Sequence, residues 1–103
     1  MTLAALLLEA AGGLAGVATA SASPDGVTEF RVGDAAIAAI TPDGAGEFRL
    51  DPAVAAAARR TPDTSASDRG PDWVRFRPAT LDDHAVDRAV AWLGSAARRA
   101  GAA

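Results

Sequence analysis

The chain has no cysteine, no lysine and no tyrosine, and it carries a single methionine and a single histidine. Without cysteine there are no disulfides, no thiolate chemistry and no cysteine-rich zinc site. Without lysine, all ten strongly basic residues are arginine, set against 13 acidic residues for a net charge of −3. Proteins that live by non-specific phosphate neutralisation are usually basic, so this balance argues against strong, charge-driven nucleic-acid binding. Aromatic side chains are few, three Phe and two Trp, and much of the 50% hydrophobic content is alanine. The core must therefore be built from a handful of Leu, Ile, Val, Phe and Trp, with Ala allowing close helix packing. Long apolar runs are missing too. No stretch approaches the ~18 uncharged, strongly apolar residues of a membrane span. Leu3 to Leu8 is apolar, and Ala20-Ser21-Ala22 resembles a small-residue cleavage site. A signal peptide, however, wants a positive n-region; here the first positive charge is Arg31, and Glu9 interrupts the apolar run. A buried N-terminal helix and a cytoplasmic protein are the expectation.

The length of 103 residues predicts one domain with one core. Thr2 is placed to cap a helix through about Ala11, with Leu3, Leu6, Leu7 and Ala10 as its apolar stripe and Gly12-Gly13 as its stop. Residues 17–23 fit a first edge strand. Strands are predicted over 27–32, 35–41 and 47–50, separated by Gly33-Asp34 and Pro42-Asp43-Gly44 turns. Alternation turns Phe30, Val32, Phe48 and Leu50 inward and Glu29, Arg31, Glu47 and Arg49 outward. Asp51-Pro52 starts a helix over 52–60 that ends in Arg59-Arg60. Residues 61–71 read as a polar, mobile loop. The strand over 72–77 puts Val74 and Phe76 inward and Trp73, Arg75 and Arg77 outward. Thr80 with Asp83 fits a capping box for a long last helix, with Arg98 and Arg99 at its end. Short turns favour antiparallel pairing. The predicted class is α+β in the order α-β-β-β-β-α-β-α, with helices mainly on one face of a twisted antiparallel sheet.

The words Phe30-Arg31-Val32-Gly33-Asp34-Ala35-Ala36-Ile37-Ala38, then Phe48-Arg49-Leu50-Asp51-Pro52, then Gly70-Pro71-Asp72-Trp73-Val74-Arg75-Phe76, in this order and followed by a terminal helix, resemble the MmcQ/YjbR family. The resemblance runs over nearly the whole chain. It implies a CyaY-like, double-wing α+β fold, and it implies DNA as a ligand, a label that family members carry through similarity of fold. The chain departs from the family pattern at Asp34-Ala35-Ala36, where relatives commonly have Gly-Lys and an aromatic residue.

Three constellations could carry function. The outward sheet face would present Arg31, Arg49, Trp73, Arg75 and Arg77: arginine grips phosphate through paired hydrogen bonds, and an aromatic ring between arginines stacks an unpaired base. The competing reading of the same residues is structural, with Glu29 and Glu47 pairing with neighbouring arginines across strands and Trp73 covering the sheet edge. A protein-protein or self-association surface, on this face or at the edge near residues 17–23, is the alternative function. The second constellation, Asp82, Asp83, His84 and Asp87, has oxygen ligands for a cation, but acidic residues at a helix start commonly serve the helix itself. The third, Ser65, His84 and Asp68, is a Ser-His-Asp set by composition alone. Gly12-Gly13-Leu14-Ala15-Gly16 lacks the spacing and the preceding strand of a dinucleotide site. A non-enzymatic binding module with no cofactor is the expectation. Trp92, at helical spacing from Ala85, Ala89 and Ala96, is expected to pack at the core.

Overall fold

The computed structural model describes residues 1–19 and 23–101. Its elements are α1 (Leu3–Gly12), β1 (Ala18–Thr19), β2 (Thr28–Val32), β3 (Ala35–Ile40), β4 (Gly46–Arg49), α2 (Pro52–Ala58), β5 (Thr64–Ala66), β6 (Trp73–Phe76) and α3 (Asp83–Arg99). The strands pair antiparallel throughout, in one six-stranded sheet of order β1-β2-β3-β4-β6-β5. The class is α+β, as the pattern predicts. The expected first edge strand is present as β1, while residues 20–22 of it lie outside the described residues. Local chemistry sets most boundaries. Thr2 Oγ1 accepts the Ala5 amide at 3.1 Å to begin α1, and Asp51 Oδ1 accepts the Ala53 amide at 3.0 Å to begin α2. Gly33 and Gly44, at φ 60° and 87°, turn the chain between β2 and β3 and between β3 and β4 in a region that costs other residues.

Two expectations are corrected. The polar loop over 61–71 contains a strand. β5 pairs Thr64, Ser65 and Ala66 with Phe76, Arg75 and Val74 and forms an edge of the sheet. The cap of α3 is Asp82, whose Oδ1 accepts the Ala85 amide at 2.8 Å. Thr80 lies two residues short of that position, and Asp83 is already the first helical residue. The Thr80-to-Asp83 spacing imitates a capping box, but the carboxylate next to the helix reaches the free amide first.

The core lies between one sheet face and the helices, chiefly α1 and α3, with Ala55 and Ala58 of α2 in the same cluster. Leu3, Leu6, Leu7 and Ala11 from α1 and Ala85, Ala89, Leu93 and Ala97 from α3 meet the buried rings of Phe30, Phe48 and Phe76. Trp92 packs at the margin, edge-on to Phe76 with ring centroids 5.2 Å apart and 5.9 Å from Phe48. Gly46 keeps α1 close to the sheet: a Cβ there would stand 3.1 Å from Phe48 Cζ and 3.2 Å from Leu7 Cδ1. Ile37 and Ile40 both enter the core, although residues three apart on a regular strand face opposite ways. A bulge resolves this. Phe30 pairs with Ala38 but Arg31 pairs with Ala36, so Ile37 is the extra residue on β3.

Candidate interaction face

Among the described residues no helix covers the second face of the sheet. The strand register lays Glu29, Ala39, Glu47, Arg75 and Ser65 side by side across β2, β3, β4, β6 and β5. Residues 67–70, leaving β5, fold back across this row. Ser67 Oγ donates to Glu47 Oε2 at 2.6 Å, and Arg69 Nε donates to Glu47 Oε1 at 3.3 Å. The other end of the same guanidinium donates through NH1 to Glu29 Oε2 at 3.1 Å. Its central carbon lies 5.0 Å from the Trp73 ring centroid, within range for a cation–π contact. This strap buries Ala39, which stands apart from the main core, and leaves Glu47 only 7% exposed.

The five residues expected to form a ligand site are not brought together as one open surface. Trp73 is on the second face, as alternation predicts, but is 6% exposed beneath Arg69, so it offers no open stacking platform. Arg31 folds along its own strand and donates from Nε and NH2 to Glu29 Oε1, at 3.2 and 2.7 Å. Arg75 bonds Asp43 of the β3–β4 turn and reaches Thr41 Oγ1 at 3.4 Å. Arg77 stands 3.7 Å from the same Asp43 and is the most open of the set, its side chain 64% exposed. Arg49 departs from the expected group. It turns to the end of the sheet, where Asp72 Oδ2 accepts from Arg49 Nε at 2.9 Å and from Arg99 NH1 of α3 at 3.2 Å.

The carboxylates in these pairs are held ionised. The Thr41 hydroxyl, with help from the Ala45 amide and Arg75, lowers Asp43 from its ordinary 3.8 to about 2. Arg31 and then Arg69 hold Glu29 below the usual range. Arg49 and then Arg99 do the same for Asp72. The structural reading of the arginines is thus present in a fuller form than alternation alone foresees. Each has an internal carboxylate, but the expected cross-strand pairing with Glu29 and Glu47 is not what they make: Arg31 pairs with Glu29 within one strand, and the other three pair with aspartates.

Two arginines that organise this region escape sequence reasoning. Arg69 sits in a segment read as loop. Arg88, read as solvated helix surface, is half-buried and donates through NH2 to Pro62 O at 2.9 Å and Thr64 Oγ1 at 3.1 Å. Its guanidinium also lies 4.7 Å from the Phe76 ring centroid and 5.0 Å from that of Trp92. It ties α3 to the entry of β5. The one available signal was its i+4 spacing to Trp92 on the same helix side.

The remaining candidates do not converge. Asp82 is committed to the α3 cap, and His84 and Asp87 are exposed near it. Among the described residues no three His, Cys, Asp or Glu side chains are grouped to hold a metal ion. Ser65 lies on the outer strand opposite Arg75, and no described hydrogen bond joins it to Asp68 or His84. No helix among the described residues is long and apolar enough to cross a membrane. No family model, curated protein or solved structure matches the chain.

Proposed function

We propose that this protein is a non-enzymatic binding module of the MmcQ/YjbR type whose partner is another protein, docked on the sheet face around Arg31, Arg69, Arg75 and Arg77. The observation that carries this reading is the pairing of those guanidiniums with Glu29, Glu47 and Asp43. A phosphate backbone laid on the face would approach these carboxylates as closely as the arginines, on a chain of net charge −3. Little counterion release, the main source of non-specific affinity, would be gained. A protein surface suits the same pattern, because opposite charges in fixed alternation select a partner with the complementary arrangement. A cytoplasmic setting goes with the reading. Self-association belongs to it as well: β1 is the outer strand of the sheet, and its far side has no partner strand among the described residues.

DNA is the second reading, favoured by the exposure of Arg77 and Arg31, whose side chains are 64% and 48% accessible. One experiment separates the two. Fluorescence anisotropy with labelled single- and double-stranded DNA is run at about 50 and about 200 mM salt, the range over which phosphate contacts weaken. The protein reading expects no binding at either concentration. Binding that falls with salt, and is lost on replacing Arg75 and Arg77 with Ala, would replace it with the nucleic-acid reading.

A further inference from the structure

A cavity of about 220 Å³ opens where the last turn of α3 passes the start of β3. It is lined by Ala35, Ala36 and Ile37 on the strand, Ala96 and Ala100 on the helix, and the two arginines Arg49 and Arg99. Both guanidiniums are anchored on one oxygen, Asp72 Oδ2. Each spends a single N–H on that bond and has no other hydrogen bond among the described residues. The side chains remain 45% and 35% exposed. Two cations thus share one anion, and among the described residues their remaining donors have no partner. Asp72 tethers both side chains at the cavity, which reduces the rotamer freedom to be lost when a ligand arrives.

We propose that this cavity is a binding site for a short aliphatic carboxylate, whose head is held by Arg49 and Arg99 and whose tail lies on the alanine methyls. Planar guanidiniums match a carboxylate through paired N–H donors. The methyl walls add contact for a small apolar tail and none for a wholly polar anion. The carbonyl end of α3 opposes an anion weakly, and the two arginines outweigh it. The site is independent of the sheet-face reading, since Arg99 and the alanines take no part in that surface.

The test is an NMR titration of the full chain with sodium butyrate, at constant ionic strength set by sodium chloride, with inorganic phosphate in a parallel series. The expected result is saturable shifts of the amides at 35–37 and 96–100 and of the Arg49 and Arg99 side chains, with a dissociation constant on the order of 1–10 mM for so small a ligand. Arg99→Gln is expected to weaken binding at least about fivefold, the loss of one charge-assisted contact. Arg98→Gln, which removes a charge of the same sign from outside the cavity, leaves it unchanged. Ala35→Val, on the face that its partner Val32 shares with the core and α3, narrows the cavity from a strand position that favours a branched residue and abolishes binding with spectral dispersion retained. Shifts that do not saturate, binding that survives Arg99→Gln, or phosphate shifting the same amides equally would each overturn the proposal.

Discussion

Arg69 does more for the second sheet face than any residue of the strands themselves. It bridges two carboxylates and covers an indole, and the buried Glu47 would keep only Ser67 if it were lost. Arg69→Ala is expected to destabilise the fold by about 1–3 kcal/mol, the cost of leaving a buried acceptor short of a partner. It should also shift tryptophan emission to the red as Trp73 meets water. Urea unfolding followed by fluorescence reads both effects. An unchanged midpoint with unchanged emission would mean that the strap contributes nothing. Asp43 has a different role, because two cations depend on one side chain. Asp43→Asn should free Arg75 and Arg77 together and raise affinity for DNA at about 50 mM salt above that of the parent protein. Anisotropy compares the two directly.

At the scale of elements, the ends of α3 give a clean contrast. Asp82→Ala should cost about 1 kcal/mol, the usual worth of an N-cap. Thr80→Ala, outside the helix, should stay within about 0.5 kcal/mol of the parent. Thermal unfolding of the two variants ranks them, and the reverse order would restore the capping box predicted from spacing. The same helix shows what the sequence makes legible. α1, α2 and the β2–β3–β4 meander are announced by signals a few residues long: Thr2, Asp51-Pro52, Gly33-Asp34 and Pro42-Asp43-Gly44. Each is chemistry between near neighbours in the chain. β5 is not announced, because three residues show no period and its pairing partner lies about ten residues away. The bulge at Ile37 is visible only as a contradiction, two isoleucines that alternation could not bury together. The candidate site was legible as a face and not as a surface. Alternation placed Trp73 and Arg75 correctly, but the strap over Trp73 and the turn of Arg49 toward Arg99 are long-range contacts that no local pattern encodes.

Across the whole molecule, ion pairs spread over the second face and the sheet end, while the main apolar cluster lies on the face under the helices. This division predicts the response to acid. Glu29, Asp43 and Asp72 are all lowered in the folded protein, so the unfolded chain binds protons first. The stability they confer is complete above their ordinary values of 4.5 and 3.8 and is lost as pH falls through the lowered folded values, which for Asp43 is about 2. The urea midpoint should therefore be level from about pH 7 to 5 and decline steadily between about pH 4.5 and 2. Added salt should shrink the decline, because the pairs are partly exposed. A midpoint that holds to pH 2 would assign stability to the core alone.

The sharing of one carboxylate between two arginines, at Asp43 and again at Asp72, also bears on how such a protein could change its ligand over evolutionary time. Losing a single acidic residue would unmask two cations at once, with the backbone and the apolar core untouched. A descendant could therefore pass from a surface of balanced charge to one that attracts polyanions in a single substitution, and return by the same step. The scaffold would then be inherited while the ligand class is not, and the two aspartates would be the positions at which such lineages part.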